Sequence, residues 1–169
     1  MGQLAGVILT ANDSAALFTP GVVYEAQTGK KYKYVLHNSG VGAVAAVAQQ
    51  VAYYYAPSGA SAGATTTVTS DLSDSAGLGA GVWQYAVTTG YYGWIQITGT
   101  ATLALALTAG ADGNALTPVG STDGALDVSA LVTDSICAYA VDASAKIIMC
   151  AFPEYGTREG WQHPSLIIF

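Results

Sequence analysis

Apolar and polar positions alternate along short stretches of this chain. In residues 102–107, Thr-Leu-Ala-Leu-Ala-Leu, every second position is leucine, which puts three large side chains on one face and small ones on the other. Similar runs rich in β-branched and aromatic residues recur at 6–10, 22–26, 31–36, 51–55, 65–69, 82–88, 91–98, 101–108, 136–141 and 146–152. Turn-forming residues separate nearly all of them, which predicts an all-β fold, a compact β-barrel or β-sandwich. Residues 57–81, small and polar, read as a flexible loop, one short strand and a second loop, and the similar stretch 109–127 as another long Gly/Ser/Thr-rich surface connection.

Two segments carry more than one pattern. Residues 82–98 read as a hairpin turning at Thr89-Gly90. A two-residue loop pairs Trp83, Tyr85 and Val87 with Gln96, Trp94 and Tyr92 and gathers the aromatics on one face; a longer loop with Gly90 in the left-handed region shifts these pairs. In residues 41–51, Val41, Val44, Val47 or Ala48, and Val51 fall at helical spacing behind Asn38 or Ser39. Gly40, Gly42 and the run Tyr53-Tyr54-Tyr55 favour strand-turn-strand instead.

Composition sharpens the picture. Of 169 residues 51% are apolar and only 9% are charged, against roughly 25% charged in ordinary soluble domains. The length suits one domain, with residues 1–153 forming a single β domain that includes an N-terminal strand or arm. Residues 154–169 read as an extended C-terminal arm ending Leu166-Ile167-Ile168-Phe169. Such an apolar terminus needs a surface to bury it, so Trp161, His163, Leu166, Ile167, Ile168 and Phe169 are the expected interface residues.

A net charge of −6 argues against nucleic acid, whose binding is driven by Lys and Arg. The basic cluster Lys30, Lys31 and Lys33 reads as a solvated strand edge that discourages edge pairing. No basic residue precedes Lys30, so no signal-peptide pattern is present, and the apolar runs at 41–48 and 101–111 fall short of the roughly 18 residues of a span. A soluble product made in the cytosol, with no membrane partner, is expected.

Candidate chemistry is sparse. His37 follows a strand in His-Asn-Ser-Gly and reads as a turn or edge residue, and His163 as an interface contact. A hairpin around residues 142–145 sets Cys137 opposite Cys150, and in the cytosol these read as buried free thiols. Asp112, Asp123, Asp127, Asp134 and Asp142 punctuate Gly-rich turns without a calcium-loop pattern. Neither a cofactor nor a metal is expected, and an enzyme using Asp and His is the weakest reading.

The stretch Gly90-Tyr91-Tyr92-Gly93-Trp94-Ile95-Gln96-Ile97-Thr98-Gly99 resembles the small β-rich capsid decoration, or cement, proteins of tailed bacteriophages. Other pieces fit the same pattern in order: Lys31-Tyr32-Lys33-Tyr34-Val35 with Asn38-Ser39-Gly40, then Gly79-Ala80-Gly81-Val82, then Ser121-Thr122-Asp123-Gly124-Ala125, then the last two strands. The resemblance covers about residues 20–152, and the segment from Glu154 onward departs from it. It implies a virion protein on the outer surface of the capsid, often trimeric, that clamps neighbouring major capsid protein subunits. A carbohydrate-binding or host-adhesion module is the competing expectation, with Trp83, Trp94, Tyr53, Tyr54 or Tyr55 stacking on sugar rings.

Overall fold

The computed structural model describes residues 7–55, 65–118 and 120–154. The expected interface residues Trp161, His163, Leu166, Ile167, Ile168 and Phe169 lie outside the described residues, as do 1–6 and 56–64. The first six strands are β1 (Val23–Glu25), β2 (Lys31–His37), β3 (Val51–Tyr55), β4 (Thr67–Thr69), β5 (Ser75–Trp83) and β6 (Tyr92–Gln96). They form one sheet in the order β1-β2-β4-β3-β5-β6, and β6 also pairs back onto β2. The remaining five are β7 (Thr98–Thr102), β8 (Ala115–Thr117), β9 (Asp127–Val128), β10 (Ala138–Asp142) and β11 (Ile147–Ala151). Their order is β7-β11-β10-β8-β9, and the two sheets pack together as a β-sandwich.

Both sheets supply the main core, with Val35, Tyr53, Trp83 and Ile95 from the first meeting Leu116, Ala138 and Ile148 from the second. A second core lies on the other face of β2 and β6, where Tyr32, Tyr34 and Trp94 are covered by Val7, Leu9, Ala11 and Phe18. The N-terminal segment is thus an arm across an aromatic face rather than a strand. Phe18 sits edge-on to both Tyr34 and Trp94 with centroids 5.4 Å apart, a favoured aromatic geometry. Asp13 holds the arm in place by exchanging main-chain hydrogen bonds with Tyr92 and accepting the Tyr34 hydroxyl at 2.7 Å.

Several sequence expectations need correction. β2 is an interior strand: residues 32–36 pair with β6 along one side, while β1 and β4 share the other. Lys33 is therefore buried, 2% exposed, and the lysine cluster is not a solvated edge. The second loop expected within 57–81 gives way to β5, which runs on to Trp83, and its Gly79 and Gly81 reflect crowding rather than flexibility. A Cβ on Gly79 would stand 2.9 Å from Phe152 and 3.0 Å from the Cys137 sulfur, so only a bare backbone fits.

The leucine alternation is not a strand, because β7 ends at Thr102 and the chain bends from there. Leu103 is buried in the core, whereas Leu105 and Leu107 are half-buried. β8 falls inside the expected loop 109–127, and β9 begins at its last residue. Residues 41–51 are neither helix nor strand-turn-strand up to β3: turns at 40–43 and 48–49 carry positive φ at Gly40, Ala43 and Gln49, and Val41 is fully in solvent.

The two-residue hairpin also gives way to its alternative, an eight-residue connection with Gly90 at φ 81. Trp83 then faces Ile95, one residue from the two-residue register. Because side chains alternate along a strand, that shift sends Trp83 into the main core and leaves Trp94 in the other one. Ala138, not Cys137, stands opposite Cys150.

Candidate functional site

The outer face of the second sheet carries exposed apolar side chains. Along β10 and β11 burial alternates strictly, so Ala138, Ala140, Ile148 and Cys150 point inward while Tyr139, Val141, Met149 and Ala151 point out. Tyr139 lies opposite Met149, which lies opposite Thr100 of β7, so the three form one row across three strands. Tyr139, Val141 and Met149 are each more than 40% exposed. β7 and β11 contain no charged residue, and β10 only Asp142 at its last position. Depletion of charge with aromatic and methionine enrichment is the composition of an interface centre.

The chain leaves the domain from a tethered position. Phe152 is buried, and its N–H donates to the carbonyl of Ile97. Lys33 Nζ donates to the Tyr54 hydroxyl and to the carbonyl of Glu154, both at 3.0 Å. The Glu154 carboxylate meets Lys31 at 3.9 Å. Burial lowers the Lys33 pKa to about 8, against the opposing pull of Glu154. The last described residue thus leads into 155–169 from the foot of β2.

The remaining candidates are structural. His37 is buried with its ring edge-on to Trp83. Burial lowers its pKa, neither ring nitrogen closes a hydrogen bond among the described residues, and the nearby main chain of Thr88, Val87 and Val44 offsets only part of the effect. Cys137 and Cys150 are free buried thiols, and burial raises both, Cys150 to about 12, so they stay protonated. Asp112, Asp123, Asp127, Asp134 and Asp142 each accept a main-chain N–H, as turn aspartates do. Among the described residues, no three of His, Cys, Asp and Glu converge as a metal site would require, and no helix is long and apolar enough to cross a membrane.

Sequence reasoning missed Asp71 and Asp74, which latch the loop 38–44. Asp71 takes the N–H of Gly42 with one oxygen, and with the other the N–H and hydroxyl of Ser73 in the 3-10 turn Leu72–Asp74. These bonds, that to the Ser73 hydroxyl first, hold its carboxyl below the usual range. Asp74 takes the N–H of Val41 at 2.8 Å. The aromatics expected to stack on sugars are inside: Trp83, Trp94, Tyr53 and Tyr54 are buried and Tyr55 is half-buried. Comparison with protein families, with curated proteins and with solved structures finds no match to this chain.

Proposed function

We propose that this protein is a structural, non-enzymatic virion component that binds the outer surface of a phage capsid and cements neighbouring major capsid subunits, as a homotrimer. The observation that carries the reading is the uncharged row Tyr139, Met149 and Thr100 on the open face of the second sheet. Its partner is an apolar surface of the shell. At about 25 cal/mol per Å², a few hundred Å² buried there contributes several kcal/mol before ordering costs. Repetition over a symmetric lattice multiplies such modest contacts. The sequence pattern around Gly90–Gly99 and the low charge of the whole chain support the same reading.

The test is incubation with purified shells that lack the protein. Binding that raises their heat or chelator resistance is expected, with loss of binding in the double variant Tyr139→Lys, Met149→Glu. That variant should melt within a few degrees of the parent, since both side chains already face water. No binding of the parent, or full binding by the variant, sinks this reading. Native mass spectrometry checks the trimer. The sugar-binding alternative that relies on Trp83, Trp94 or Tyr53 has no exposed ring to use.

A further inference from the structure

Where β6 leaves the first sheet and β7 enters the second, the corner leaves a cleft of about 360 Å³. This lies at the small end of the roughly 300–1,000 Å³ typical of ligand clefts. Three carboxamides from separate parts of the chain line it: Gln49 ahead of β3, Gln84 just past β5, and Gln96 at the end of β6. Thr100, Thr102 and Lys30 complete the polar wall, and Tyr32 contributes an aromatic edge. No carboxylate lines it.

The cleft is built. Gln96 is 3% exposed, and its Nε2 donates to the carbonyls of Thr98 and Thr100, both at 3.0 Å. Two acceptors on one nitrogen fix the amide plane, and no donor among the described residues reaches Oε1. Gln84 is fixed likewise, its Nε2 donating to the carbonyl of Val82 at 2.9 Å. Gln49 holds φ 64, a left-handed conformation unfavourable for any side chain but glycine. Its N–H donates to Trp83 at 2.7 Å, and its carbonyl accepts from Ala104 at 2.8 Å, which pins the strained residue between the sheets. A glycine would relieve the strain, and the amide at the mouth of the cleft is what it would remove.

We propose that this cleft binds a neutral saccharide. A carboxamide offers a donor and an acceptor side by side, which matches hydroxyl groups that both donate and accept; Gln49 and Gln84 keep an N–H for that role, and Gln96, whose two N–H groups are taken, keeps its acceptor oxygen. A single ammonium, from Lys30, is too little positive charge to make an anion the favoured ligand. The cleft shares Thr100 with the outward row of the second sheet but not Tyr139 or Met149, and of the buried aromatics it takes only an edge of Tyr32.

The experiment titrates the full ¹⁵N-labelled chain with methyl glucoside, galactoside and mannoside and with N-acetylglucosamine, and separately with inorganic phosphate. Concentrations reach about 50 mM, enough to saturate a site of millimolar affinity. At least one saccharide is expected to shift the side-chain amide signals of Gln49, Gln84 and Gln96. Gln84→Ala should weaken that binding about tenfold, equivalent to about 1.4 kcal/mol. Gln49→Gly should weaken binding while leaving the melting temperature unchanged or higher, which a folding defect would not do. Silence with every saccharide, shifts confined to other residues, response to phosphate alone, or unchanged binding in both variants overturns the proposal. None of this involves a shell, so this proposal and the capsid reading fail independently.

Discussion

Lys33 carries an ammonium group into the interior of a sheet, where water cannot solvate it and one hydroxyl and one carbonyl must serve instead. The unfolded chain keeps that proton to a pH of about 10.4, whereas the folded one releases it near 8. Between those values the unfolded state binds more protons, so stability rises with pH. The buried thiols Cys137 and Cys150 work the other way above about 8.5, because burial raises both, and above about 10 Tyr34, pushed up to about 12, adds to them together with Tyr53 and Tyr54. The melting temperature of the parent should therefore gain on that of Lys33→Met, which removes the buried charge, as pH is raised from 8 to 10. His37 acts at the other end of the range. Its pKa is lowered on folding, so the unfolded state takes up protons first as pH falls below about 6.5, and stability declines from there. Denaturant titrations at pH 7 and pH 5 should show a smaller loss for His37→Phe than for the parent.

At the level of elements, β5 is the strand that composition disguises. Gly81 has φ 159, and a Cβ there would stand 2.8 Å from the Gln96 carbonyl and 2.9 Å from Ile95. Gly81→Ala should cost about 2–3 kcal/mol by urea denaturation, because backbone and core must both move. Asp71→Ala frees the N–H groups of Gly42 and Ser73 together. A loss of about 1–2 kcal/mol and faster amide exchange at Val41 and Gly42 are expected. Strands with alternating or aromatic character, such as β2, β3, β6, β10 and β11, were legible because pattern and environment agree. β5 was not, since its glycines signal a loop by composition while Phe152 and Cys137 crowd Gly79, and Gln96 and Ile95 crowd Gly81, too closely for a side chain. The leucines after Thr102 show the opposite failure, a strand pattern on a backbone that bends away to bond with Lys146 and Gln49. The row of Tyr139 and Met149 could be read only in part, because alternation marks an outward face without saying whether anything covers it. The cleft of three glutamines was invisible, since residues 49, 84 and 96 meet only once the register of β5 and β6 is set.

For the whole molecule, Phe152 is the last described residue buried in the core, so a chain ending at Pro153 should keep the sandwich. It loses the Glu154 contacts of Lys31 and Lys33, and a drop of about 1–2 kcal/mol in stability with an unchanged circular dichroism spectrum is expected. Retained shell binding in that truncation would place the contact on the second sheet rather than on Leu166 to Phe169. The return of β6 onto β2 has a further consequence for synthesis. On the side away from β1, Tyr32 finds its partner only at Gln96, so a ribosome adding about 5–20 residues per second makes β2 roughly 3–13 s before the strand that closes its long side. During that interval the nascent chain presents an aromatic strand with one flank open, which makes translation speed and chaperone access the terms on which this fold competes with aggregation.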